Sequence, residues 1–257
     1  MDDEEDGAPQ TTPPDAWIAP DGALRLDGGF TGVVDLSGWH VTLDPERGPV
    51  FHPQSLTWDH LGTRPGAINR QVSAIAVSGT DLYVGGFFTD AGGDPNADYI
   101  ARWDGAAWHP LGGGLNSSVF AIAVSGGNVY VGGIFTDAGG NPNADRIARW
   151  DGSAWQALGS GLNSSVSAIA VSGTNVYVGG FFTDAGGNPN ADRIARWDGS
   201  AWQALGDGVN GTVSAIAVSG TDLYVGGWFT DAGGNPNADG IGRASLLKKA
   251  YLPLIVR

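Results

Sequence analysis

Loops that offer oxygen ligands at alternate positions are the first chemistry this chain suggests. Asp94-Pro95-Asn96-Ala97-Asp98 returns as Asn141-x-Asn143-x-Asp145, Asn188-x-Asn190-x-Asp192 and Asn235-x-Asn237-x-Asp239. A further acid stands just upstream of each: Asp90, Asp137, Asp184 or Asp231. Alternating carboxylate and carboxamide oxygens beside an acid resemble the donor set of a calcium loop. The glycine such loops place sixth appears only as Gly240, and no glutamate closes the loop downstream. Asn, Asp, Pro and Gly are equally the residues of tight turns, which is the competing reading.

A second recurring group is Arg102-Trp103-Asp104, Arg149-Trp150-Asp151 and Arg196-Trp197-Asp198. A guanidinium over an indole face could line a sugar- or peptide-binding surface. Identical placement in successive copies favours a structural use instead, with Trp filling an interface and Asp opening an Asp-Gly turn. The four histidines, His40, His52, His60 and His109, match no metal-ligand spacing. No G-x-S-x-G elbow or paired-carboxylate motif accompanies the many Ser and Asp residues. No catalytic residue and no cofactor other than calcium is assigned.

The elements that must position these groups come from an internal repeat of 47 residues, starting at Val72, Val119, Val166 and Val213. The second and third copies differ at seven positions, among them Phe120 against Ser167 and Ser160 against Asp207. In the second copy four short strands are expected, over 120–125, 128–135, 146–151 and 154–158. Each is rich in β-branched, aromatic or alternating residues and is bounded by turn formers. No segment has helical periodicity over a useful length. Four antiparallel strands per unit of this size make a propeller blade. Alternation puts Ile122 and Val124 on one face and Ala121 and Ala123 on the other. A large face meeting a small one lets like units stack. Gly132-Gly133 allows close backbone approach, and Trp150 and Trp155 fill the outer part of the wedge.

Composition narrows the partners. A net charge of −14 offers no basic surface for nucleic acid or anionic lipid. There is no cysteine, hence no disulfide, thiol nucleophile or zinc–thiolate site. No apolar run approaches the ~20 residues of a membrane span. The 43 glycines sit mostly at fixed offsets inside the repeat. Asn116-Ser117-Ser118, Asn163-Ser164-Ser165 and Asn210-Gly211-Thr212 fit the N-glycosylation pattern and mark an exposed turn between copies.

Val129-Tyr130-Val131-Gly132-Gly133 followed by Trp150 and Trp155 resembles the Kelch-like propeller repeat. The unit is also similar to tandem repeats of bacterial surface and secreted proteins that carry Tyr-Val-Gly-Gly and Ile-Ala-Arg-Trp-Asp-Gly motifs. The resemblance covers about two thirds of the chain. It implies an all-β propeller, a binding or scaffold role and an extracellular or cell-surface location, and it fixes no ligand. The N-terminal Met-Asp-Asp-Glu-Glu-Asp is unlike a signal peptide, which leaves the cytosol as the other compartment.

The expected layout is an acidic, disordered leader over 1–21 and a single propeller domain over 22–257. Within it, 22–71 form a divergent closing blade ahead of the repeats 72–118, 119–165, 166–212 and 213–257. Four to five four-stranded blades are expected, five being favoured. Closure would come from Trp58 and its neighbours, from the tail 250–256, or from both. The function expected is non-catalytic binding of a protein or glycan by a monomer. The alternatives are a lectin with one Trp site per blade, and a lyase or hydrolase acting at the central channel.

Overall fold

The computed structural model describes residues 39–44, 48–53, 60–61 and 67–246. The leader, the tail beyond Leu246 and the closing strand expected around Trp58 lie outside the described residues. The chain divides into two compact units, 1–59 and 60–257. In the first, β1 (Trp39–Asp44) and β2 (Gly48–Pro53) form an antiparallel hairpin, in register from Trp39↔Pro53 to Asp44↔Gly48. A fifth blade built from 22–71 falls largely outside the described residues.

The second unit is all-β and propeller-like, with four antiparallel sheets in chain order. The first holds β3 (Val72–Ser78), β4 (Asp81–Gly86), β5 (Ile100–Trp103) and β6 (Trp108–Pro110). The second holds β7 (Val119–Ser125), β8 (Asn128–Gly133), β9 (Ile147–Trp150) and β10 (Trp155–Ala157). The third holds β11 (Val166–Ser172), β12 (Asn175–Gly180), β13 (Ile194–Trp197) and β14 (Trp202–Ala204). The fourth has three strands, β15 (Thr212–Ser219), β16 (Asp222–Trp228) and β17 (Ile241–Ser245). Each is a simple meander. Strands two and three are shorter than the sequence suggests, because Phe135 and Arg146 belong to the connecting loop.

The first strand of every sheet carries a bulge. In the second sheet Val119 pairs with Gly133 and Ala121 with Gly132, so Phe120 is the extra residue. Ser73, Ser167 and Ser214 take the same position in the other sheets. A bulge breaks the two-residue alternation of side chains. Val119 and Ile122, three apart, therefore point to one face, the face toward the first sheet.

That face meets glycine. A Cβ added at Gly85 would lie 2.3 Å from Val119 Cγ1 and 3.0 Å from Ile122 Cδ1. Gly132 stands against Val166 and Ile169, and Gly179 against Val213 and Ile216, with matching distances. The expected stacking of a large face on a small one is thus realised through a Val–Ile plug in a glycine socket. Around it pack Tyr83 and Ile100 with Val119, then Tyr130 and Ile147 with Val166, then Tyr177 and Ile194 with Val213.

The outer tryptophans complete each interface. Trp108, Trp155 and Trp202 are 6–9% exposed, and each ring lies 5.3–5.4 Å from Trp103, Trp150 or Trp197. Buried indole N–H groups need acceptors. Trp155 donates to the Leu111 carbonyl at 3.0 Å, Trp202 to Leu158 at 3.0 Å and Trp108 to Leu61 at 3.1 Å. Each bond reaches from one sheet to the loop that precedes it. The fourth sheet has no such tryptophan. A cavity of about 510 Å³, lined by Leu205, Val209, Ala232 and Gly233, stands there instead.

Candidate functional site

The oxygen-bearing loops act as turns. In the first copy Asp98 Oδ1 accepts from the Asp90 N–H at 2.8 Å and Asp94 Oδ1 from the Asn96 N–H at 2.8 Å. The same bonds recur from Asp145 to Asp137 and from Asn141 to Asn143. They recur again from Asp192 to Asp184 and from Asn188 to Asn190. In the fourth copy Asn235 Oδ1 accepts from Asn237 N, and Asp231 Oδ1 accepts from Gly234 N. Asp90, Asp137 and Asp184 sit in the left-handed region at φ 52–54°, which Asp tolerates. Among the described residues no three Asp, Glu or His side chains cluster closely enough to hold a metal ion by themselves. Asp239, the last of the expected ligands, lines a cavity with Trp228 and Asn210.

The glycosylation-type asparagines also have a structural use. Asn116 donates to Thr136 Oγ1 at 2.9 Å and accepts from the Thr136 N–H at 2.9 Å. Asn163 with Thr183 and Asn210 with Thr230 repeat the pair. Asn69 with Thr89 extends it to a position with no glycosylation pattern, Asn69-Arg70-Gln71.

Asp104, Asp151 and Asp198 open Asp-Gly turns, as expected. Asp151 accepts from the Ala154 and Ser153 N–H groups, at 2.9 and 3.0 Å, and from the Ser153 hydroxyl. These donors, the Ala154 amide foremost, hold its carboxyl well below the usual range. Asp104 and Asp198 are lowered alike, with the Ala107 and Ala201 amides foremost. The unfolded chain lacks these donors, so their contribution is full above about pH 4, the ordinary Asp value. It is lost as pH falls further toward the folded-state values. The melting temperature of Asp151→Ala/Asp198→Ala should therefore approach that of the parent between pH 4.5 and 2.5, as followed by circular dichroism. A gap that widens over that interval would contradict this assignment.

The remaining member of the triplet, arginine, separates the copies. Arg102 is bonded to both carboxylate oxygens of Asp81 at 3.0 Å, and Arg243 lies 3.5 Å from Asp222. The corresponding partners in the middle copies are Asn128 and Asn175. Neither takes over the bond, and the Nε atoms of Arg149 and Arg196 are buried without a hydrogen-bond partner. A buried donor left unsatisfied costs ~1–3 kcal/mol, more when charged.

Arg149 opposes Tyr130 across the β8–β9 pair, so both face the third sheet. There they line a cleft of about 390 Å³ with Asn128, Gly126, Thr174 and Trp197. The walls are the Ser125–Asn128 hairpin turn of the second sheet and the turn at Gly173-Thr174 of the third. Copy two has Gly127 where the other copies have Thr80, Thr174 and Thr221, so its turn is the slimmest. A guanidinium without a carboxylate, beside a half-buried indole and a tyrosine, forms a socket for an anionic group with a flat or apolar stem.

Two other cavities, about 540 and 510 Å³, involve the fourth sheet, which no further sheet covers among the described residues. Their lining residues include one arginine, Arg243, which lies beside Asp222. Sequence reasoning had Arg149 and Trp197 in hand as members of the triplet. The exchange of Asp81 for Asn128 and Asn175 was the readable signal that set Arg149 and Arg196 apart from Arg102 and Arg243.

No protein-family model matches the chain, and no curated protein matches it. Among solved structures it is similar to the computationally designed protein Ika4, with a TM-score of 0.47 and 17% identity over 74% of this chain and 99% of that one. The designed protein Ika8 matches with a TM-score of 0.40 and 20% identity over 63% of this chain and 44% of that one. The extracellular domain of a B. thetaiotaomicron protein named as a one-component system matches with a TM-score of 0.45 and 11% identity. That match covers 80% of this chain and 25% of the other.

Proposed function

We propose that the protein is a non-catalytic binding module that takes a carboxylate-bearing protein segment into the cleft between its second and third sheets. The observation that carries this reading is the part-exposed Arg149, which has Asn128 where Arg102 has Asp81, in a cleft it shares with Tyr130 and Trp197. A ligand carboxylate at the terminal guanidinium nitrogens would take the place that Asp81 has beside Arg102 Nη1. Because the chain carries a net charge of −14, attraction for a carboxylate would have to come from a local cationic group of this kind. The resemblance of the repeats to those of bacterial surface and secreted proteins supports a role outside the cell or at its surface. A sugar platform on Trp108, Trp155 and Trp202 gains no support, since those rings are buried.

The test is calorimetric titration of the full chain with an acidic peptide library, with amide-blocked peptides and uronic-acid oligosaccharides as comparison probes. Arg149→Gln should weaken binding of the best acidic peptide at least tenfold, a loss within the usual cost of truncating a charged hydrogen-bonded pair. Arg243→Gln, at an exposed ion pair, should leave it unchanged. Binding that ignores Arg149→Gln, or that prefers the oligosaccharides, would remove this reading.

A further inference from the structure

Stacking four directional sheets in a row leaves two unmatched ends. Val119, Val166 and Val213 are fully buried against the preceding sheet, whereas Val72 is 40% exposed. Beside it Ile75 is 66% exposed and Val77 70%, although their counterparts Ile122 and Val124 pack into an interface. At the other end Ile241 is 69% exposed, while Ile100, Ile147 and Ile194 are 0–3% exposed. Tyr224 is 38% exposed against 2% for Tyr177. The socket at Gly226 is open: an added Cβ would meet only Ala215 Cβ at 3.8 Å and the Gly240 carbonyl at 4.0 Å.

These two surfaces are not miscellaneous apolar patches. One is the plug half, and the other the socket half, of an interface that the chain makes three times internally. The flanks match as well. Leu61, ahead of the first sheet, already supplies Trp108 with the carbonyl that Leu111 and Leu158 supply to Trp155 and Trp202. The fourth sheet, by contrast, holds three strands among the described residues.

We infer that the end faces join a second copy of this chain head to tail, with Val72 and Ile75 of one copy seated on Gly226 of the other. The occupant follows from continuity with the internal interface: the surface that fits a Gly226 socket best is another Val–Ile plug of the same repeat, and the chain carries one free. Ring closure within a single chain is the competing use of the same surfaces, but the exposures show the first and fourth sheets apart. A heterologous contact of this kind closes if its rotation allows and otherwise propagates. Two copies would satisfy four end faces at once. The monomer expected from sequence gives way to a dimer.

The experiment is light scattering on size-exclusion fractions of the full chain, from about 1 to 100 µM, with thermal melts on the same samples. The expected result is twice the 26.4 kDa chain mass. Gly226→Val, which a single chain accommodates, should leave the sheet spectrum intact and return a monomer. Ile75→Lys should do the same from the opposite face, and both melting temperatures should lose their dependence on protein concentration. A parent that is monomeric throughout overturns the inference. If Gly226→Val then lowers the melting temperature, the ends close within one chain; if it does not, the faces are free or covered by the chain's own N-terminal residues. A dimer that survives both substitutions overturns it too, because association then lies elsewhere.

Discussion

Replacing Gly132 by alanine is expected to destabilise the protein by about 3 kcal/mol or more, from the upper range of overpacking costs in well-packed interiors. The added Cβ would lie 2.4 Å from Val166 Cγ1 and 2.9 Å from Val166 Cβ, both rigid branch atoms beside a bulged backbone. Relief would require the second and third sheets to move apart, which would also loosen Tyr130 and Ile147 from Val166. Gly179→Ala should behave the same way at the next interface, where the corresponding distance is 2.3 Å. Gly113→Ala is the control. Nothing lies within 4 Å of its Cβ, and the other copies carry Ser160 and Asp207 there. Its change should stay within about 0.5 kcal/mol, as for surface positions generally. Urea unfolding of the three variants decides the matter; a mild Gly132→Ala would mean that the sheets slide freely.

The second large effect is at Trp155. Truncation to alanine should cost ~3–5 kcal/mol, the range for buried tryptophan, because the ring fills the interface from Leu111 to Ala138. Trp155→Phe should cost less, about 1–3 kcal/mol, much of it from leaving the Leu111 carbonyl without its donor. The two substitutions separate packing from hydrogen bonding at one site. Equal losses in urea unfolding would show that the indole N–H matters little and that volume alone sets the stability.

Much of the fold was readable from the repeat. The period, the strand count and the loop positions follow from residues that return every 47 places, and the Gly-Gly pairs advertise close approach. The bulge did not announce itself. A single unpaired residue at Phe120 leaves no mark on composition, yet it decides that Val119 and Ile122 share a face. Strict alternation would have sent them to opposite sheets. The alternating oxygens were equally open to two readings, and the turn reading accounts for the bonds, because main-chain N–H groups two to eight residues away claim those oxygens. The Arg149 cleft lay between the two cases. Its residues were visible as a triplet, but the partial cover over Arg149 depends on how the third sheet packs on it, which no local pattern encodes.

The bulged plug and its glycine socket also bear on how such a gene can change. Because every junction uses the same two surfaces in the same direction, excising or inserting one whole unit leaves all remaining junctions chemically unaltered. Recombination between the nearly identical second and third copies would do this in frame. A loss of any other length would shift the bulge against the glycine and turn plug residues toward solvent. The architecture therefore makes copy number the cheapest heritable variable of this protein, while the spacing inside a copy stays fixed by a packing contact too tight to admit a single added Cβ.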